Sequence, residues 1–107
     1  MKDGLDEAGI EHLLQSEDEQ VVIEALMYLC FNVNDPEWVQ KKCIEVISGK
    51  DNDDVKGIAI TGLGHVARIH GSIDRERVMP VLLACMKDVN LSGRAQDARD
   101  DIDISVK

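Results

Sequence analysis

Apolar residues along this chain recur at helical spacing rather than in the strict alternation of a strand. Leu5, Ile10, Leu13 and Leu14 give a partial stripe over about Asp3 to Gln15, and the acidic residues crowding its first turns suit a helix N-terminus. Ser16 then reads as an N-cap, with Glu19 three residues on completing a capping box. From Val21 through Val33 the chain is apolar on most sides, with Val22, Ala25, Leu26, Leu29 and Cys30 at helical spacing, so this second helix should be covered on two sides.

Asn34-Asp35-Pro36-Glu37 is the clearest punctuation. Asp35 is a cap, Pro36 suits the first helical position and Glu37 suits the dipole. The third helix continues through Val39, Cys43, Ile44 and Ile47, and Gly49 can stop it in a left-handed conformation. Asp51 to Asp54 opens a fourth helix that ends at Gly71 and carries Gly57, Gly62 and Gly64 inside it. Each internal glycine costs about 1 kcal/mol relative to alanine, which is tolerable where two helices need close backbone approach. Asp74 starts a fifth helix, with Val78, Val81, Leu82, Cys85 and Met86. Pro80 about one turn inside should bend that helix or delay its start. Ser92-Gly93 opens a sixth, through Ala95, Ala98, Ile102 and Ile104.

The second, fourth and sixth helices align without gaps. Val21 to Leu29 matches Ile58 to Val66 and Arg94 to Ile102, at offsets of 37 and 36 residues. Small residues share one phase (Ala25, Gly62, Ala98), and an aliphatic residue follows four positions later each time (Leu29, Val66, Ile102). Such a unit buries its apolar face only by stacking on the next. The pattern resembles HEAT repeats, most specifically in Gly57 to Ala67, with the Asp35-Pro36 turn and Arg94-Ala95-Gln96-Asp97-Ala98 adding to it. Two features depart from that family. The second helix lacks the usual basic residue near its start. The sixth is more acidic and less apolar than a family core helix, and reads as a terminal cap. The resemblance implies an all-α fold: one α-α superhelix domain over 1–107, a right-handed HEAT-like solenoid of three helix hairpins and about six helices (repeats about 3–33, 35–71 and 73–105). Gly64 to Gly71, Asp74 to Leu82 and Gly93 to Ile102 are further similar to small bacterial HEAT-like proteins. Some of those are immunity proteins of contact-dependent growth inhibition or other polymorphic toxin systems.

The formal net charge is −9, which repels a phosphate backbone and attracts a basic protein; the same charge also simply favours solubility. Aromatics make up only 3% of the chain, so the core must be Leu, Ile, Val, Ala and Met, as helix-on-helix packing allows. Cys30, Cys43 and Cys85 are odd in number and lack CxxC spacing, which favours buried thiols in a reducing cytosol. No apolar segment follows Met1-Lys2-Asp3-Gly4 to make a signal peptide, and no run reaches the ~18 apolar residues of a membrane span, so a cytoplasmic protein is expected.

Catalytic chemistry finds no foothold. His12, His65 and His70 are scattered, and no HExxH, CxxC or EF-hand loop occurs, so no metal or cofactor is expected. The serines read as caps or termini, none in a GxSxG elbow, and the cysteines fall at core phase. Asp97, Asp100 and Asp101 share a helical face, but acid–base work would need a pocket that raises one pKa. Like charges at this spacing destabilise a helix by a few tenths of a kcal/mol, a cost a cationic partner would relieve.

The repeat alignment assigns common directions. Glu24, Thr61 and Asp97 share one phase, and Tyr28, His65 and Asp101 the next. With Asp100 they should form a stripe across three adjacent helices, acidic at one end, aromatic and polar in the middle. Tyr28 reads either as an anchor or as a packed ring with a satisfied hydroxyl. Trp38 reads either as a partly exposed anchor or as a wedge between repeats. The methionines read as core or terminus.

The expected function is therefore a non-catalytic immunity protein that occludes the active site of a cognate, basic toxin domain, a nuclease, with partner-binding residues Glu24, Tyr28, Trp38, Thr61, His65, Asp97, Asp100 and Asp101. The protein should bind neither nucleic acid nor membrane, and be a monomer or weak homodimer. A generic HEAT-type adaptor and an enzyme-associated lyase-like module are the alternatives. The first would show an apolar groove and the second a His-Glu site.

Overall fold

The computed structural model describes residues 6–106. Their secondary structure is six α-helices, without a strand among the described residues: α1 (Glu7–Leu14), α2 (Glu19–Asn32), α3 (Pro36–Ile47), α4 (Asp53–His70), α5 (Arg75–Cys85) and α6 (Ser92–Ser105). The fold is all-α. Asp3 and Leu5, which the sequence pattern assigns to the first helix, lie outside the described residues.

Short polar side chains set most of the helix starts. Asp6 Oδ1 accepts from Gly9 N at 2.8 Å, Asp35 Oδ1 from Trp38 N at 3.2 Å, Asn52 Oδ1 from Val55 N at 3.0 Å and Asp74 Oδ1 from Arg77 N at 3.3 Å. Each satisfies an amide that the first turn leaves without an intrahelical partner. Pro36 occupies the first turn of α3, and Gly71 closes α4 with φ 65°. Two boundary expectations need correction. The N-cap of α2 is Asp18, which accepts from Gln20 N, while Ser16 accepts from the Asp18 amide and so shapes the turn before the helix. Gly49 is not left-handed, because α3 ends through Ser48 in a right-handed conformation. Ser92 opens α6 as expected, as its first residue, and Leu91 precedes it without a side-chain cap bond. Of the two effects expected of Pro80, a bend or a later start, the later start is absent: α5 begins right after Asp74, as a cap that satisfies the first turn outweighs one missing amide further on.

Three antiparallel pairs, α1–α2, α3–α4 and α5–α6, stack side by side. Helix α4 is the hub, packing on α2, α3 and α6, while α5 packs on α3 and α6. Helices α2, α4 and α6 thus form one layer and α1, α3 and α5 the other, in a slab 35 × 29 × 17 Å across, an arrangement that fits a fragment of an α-α superhelix. Leu26, Leu29, Ile60, Leu63, Leu82 and Ile102 are fully buried between the layers.

The internal glycines of α4 mark its contact lines. A Cβ on Gly62 would stand 2.5 Å from Cys30 Sγ, and one on Gly64 would stand 2.8 Å from Asp101 Oδ2 and 3.4 Å from Ala98 Cα. Two buried polar side chains join the hairpins across the first-helix layer. Gln40 donates to the Pro36 carbonyl at 2.9 Å and accepts from the Asp74 amide at 2.9 Å. Lys42 Nζ pairs with Glu11 at 2.6 Å and Glu45 at 3.2 Å. Cys30, Cys43 and Cys85 are free and buried, and the first two stand with sulfurs 3.8 Å apart.

Candidate partner-binding face

The outward side of the α2–α4–α6 layer is where the repeat register places its shared positions. Phe31 of α2 lies against His65 of α4, ring centroids 4.7 Å apart and tilted by 52°. One repeat on, Arg68 of α4 lies against Asp101 of α6, Nε to Oδ2 3.9 Å. Phe31 and Arg68 are 37 residues apart, His65 and Asp101 36, so the same cross-helix contact occurs twice with different chemistry.

Thr61 is exposed and accepts from Arg94 Nη1 at 3.2 Å, across the α4–α6 gap. His65 is half-buried between Phe31 and Arg68, whose guanidinium bonds to its Nδ1. Burial lowers the His65 pKa, the Arg68 charge lowers it further, and Asp101 opposes both. The ring is therefore neutral near pH 7. Asp97 and Asp100 are exposed on α6, with Asp100 accepting from Gln96 Nε2 at 3.0 Å. Glu24 is exposed and accepts from Gln20 Nε2 at 3.3 Å. Glu24 and the half-buried Tyr28 line a shallow cleft with Leu13, Val21 and Ala25, towards α1. His65 and Asp101 are thus linked through Arg68, Thr61 is tied separately to Arg94 of α6, and Glu24 and Tyr28 stand together at the α1 edge of the layer. Trp38 is not brought to this face. It sits half-buried on α3, in the other layer, with Lys42 Nζ 5.6 Å from its ring centre.

The residues that sequence reasoning missed lie between α2 and α4. An apolar groove of about 170 Å³ opens there, lined by Leu26, Met27, Cys30, Phe31, Ile58, Thr61, Gly62 and His65. Met27 is 49% and Phe31 56% exposed, so Met27 is not a core methionine and α2 is less completely covered than its apolar run implies. The signal was available: carrying the repeat alignment two residues further pairs Phe31 with Arg68, a charged surface position. Arg68 and Arg94 were also missed. They interrupt the acidic stripe with two positive charges, so the face is mixed in sign around its middle.

Two of the three cysteine thiols are held away from the thiolate form. The hydrogen bond to Cys30, burial and the charge interaction with Cys30 push the Cys43 thiol well up, and burial raises Cys85. Among the described residues no group of three or more His, Cys, Asp or Glu side chains could hold a metal ion, and no helix is long and apolar enough to cross a membrane.

Neither a protein-family model nor a curated protein matches the sequence. Among solved structures, the chain is similar to one in the crystal structure of a CDI complex from Cupriavidus taiwanensis LMG 19424. The two share 28% sequence identity and a TM-score of 0.85, over 94% of this chain and 90% of that one.

Proposed function

We propose that this protein is an immunity protein of the CDI type, which binds a cognate toxin domain and neutralises it without catalysing a reaction. The observation that carries the reading is the near end-to-end likeness, at 28% identity, to a chain of a CDI complex. The resemblance of the Gly64–Gly71, Asp74–Leu82 and Gly93–Ile102 segments to small bacterial HEAT-like immunity proteins points the same way, with the three hairpins read as HEAT-like repeats. Such a protein works in the cytoplasm.

The electrostatics suggest the mode of inhibition. A toxin that cleaves nucleic acid presents a basic cleft, and a surface of net charge −9 can occupy it in place of phosphates. Glu24, Asp97, Asp100 and Asp101 supply charge, while Tyr28, Thr61 and His65 supply contacts beside it; Trp38, in the other layer, contributes only if the partner reaches around the slab. A calorimetric titration with the CDI toxin domain of the same system tests the reading. Tight association and protection of growth on co-expression are expected, and no association would refute it. Asp97→Lys combined with Asp101→Lys should weaken binding by about tenfold or more and flatten its salt dependence. Unchanged binding would remove the acidic stripe while leaving the function standing.

The groove between α2 and α4 specifically favours a second reading, a HEAT-type adaptor in a larger assembly. An adaptor would bind no single basic partner tightly, and the same titration separates the two.

A further inference from the structure

The two gaps along the outer layer are built alike and finished differently. Between α4 and α6 the chain covers its own gap. The Arg94 stem lies over Gly57, where a Cβ would stand 2.7 Å from its Cδ, its guanidinium reaches Thr61, and Arg68 meets Asp101. Between α2 and α4 the aligned positions carry Ile58 in place of Arg94 and the Phe31–His65 contact in place of Arg68–Asp101, and the gap stays open as the groove.

From this difference we infer that the α2–α4 groove is the affinity-determining pocket for the toxin domain, receiving one large apolar side chain that the toxin carries on a basic segment. This rests on the immunity reading above. A cavity of about 150 Å³ is enough to take a benzene ring, so the groove, at about 170 Å³, fits one aromatic or branched aliphatic side chain. Its walls can be dried cheaply, because Met27, Phe31 and Ile58 are apolar and the neutral His65 ring adds no charge to desolvate. Arg68 and Arg94 stand on the α4 side of the groove, so the basic character of the occupant's segment follows from complementarity with the exposed Glu24 on α2 and Asp97 and Asp100 on α6, in a chain of net charge −9. Binding energy concentrates where large side chains enter a desolvated pocket, and flanking charge acts mainly on the rate of encounter.

The division of labour is measurable by surface plasmon resonance with the toxin domain immobilised. Met27→Ala with Phe31→Ala should raise koff about tenfold or more and leave kon within about threefold, whereas Asp97→Asn with Asp100→Asn should lower kon and leave koff nearly unchanged. Phe31→Leu, which keeps an apolar wall, should stay near wild type. Met27 and Phe31 are about half exposed, so their removal should not unfold the protein, and thermal unfolding of each variant checks this. If wild type binds the toxin and the groove variant dissociates no faster, the pocket assignment fails while the immunity reading survives. If wild type does not bind the toxin, both fail. If wild type sediments as a dimer that the groove variant breaks, the occupant is a second copy of this chain and the inference is overturned.

Discussion

At the scale of single residues, the glycines of α4 are the sharpest test of the packing. Gly62→Ala would drive a methyl to 2.5 Å from Cys30 Sγ and 3.3 Å from Cys43 Sγ, both buried where neither can retreat. Overpacking costs about 1–3 kcal/mol and the helix gains up to about 1 kcal/mol from alanine, so a net loss of about 1–2 kcal/mol is expected in urea unfolding. Gly57→Ala should do the opposite. Its methyl meets only the exposed, flexible Arg94 side chain, which can swing away, so a gain of about 0.5–1 kcal/mol is expected. His65 offers a pH test. Its folded pKa lies below 6.5, chiefly through burial, so above 6.5 it is neutral in folded and unfolded chains alike. As pH falls below 6.5 the unfolded chain takes up the proton first, and stability drops through the folded pKa. His65→Gln should make unfolding free energy less pH-dependent across that window.

At the scale of helices, α1 is the shortest and depends on what holds it. Lys42 reaches from α3 to Glu11 of α1 and to Glu45 of its own helix. Burial by itself would lower the Lys42 pKa, but the two carboxylates outweigh it and hold it above 10.5, so this stabilisation is present below 10.5 and lost as pH rises through the folded pKa. Lys42→Met should therefore loosen α1 selectively. Its amides should exchange faster while those of α4 keep their protection, at a global cost of about 1 kcal/mol because both glutamates remain half in solvent. The three cysteines add a further test at this scale. All are buried, and Cys43 and Cys85 have raised pKa values, so an aromatic disulfide reagent should react slowly with the native protein and rapidly with three thiols after denaturation.

For the whole molecule, the proposed recognition would assign the excess of negative charge and the one-sided groove to different steps. Charge acts over roughly a Debye length, about 10 Å at 0.1 M salt, so raising salt should slow association with a basic toxin steeply and change dissociation little. Stopped-flow association across a salt series checks this; a flat dependence would remove electrostatic steering from the mechanism. In the proposed complex the groove would act only in contact, where excluding water from Met27, Phe31 and Ile58 would set how long the complex lasts. The 17 Å thickness matters here, because a two-layer slab exposes the full outer side of α2, α4 and α6 to a single partner.

Much of this was readable before any coordinates. Periodicity, caps and the 37- and 36-residue offsets determine six helices, their pairing and the phase of Thr61, His65 and Asp101, because those properties depend on residues near one another in the chain or repeated along it. Local chemistry also anticipated the close backbone approach at Gly64, whereas Gly57 and Gly62 face the Arg94 and Cys30 side chains. Packing in three dimensions was needed to settle that Phe31 and Met27 stay half exposed, that Arg68 of α4 reaches α6 and Arg94 of α6 reaches α4, and that Trp38 stands in the opposite layer. An apolar residue on a helix looks alike whether a neighbour covers it or not. Coverage depends on which helices pack beside it and on the length of the side chains that reach across the gap, and neither is written in the residue's own position.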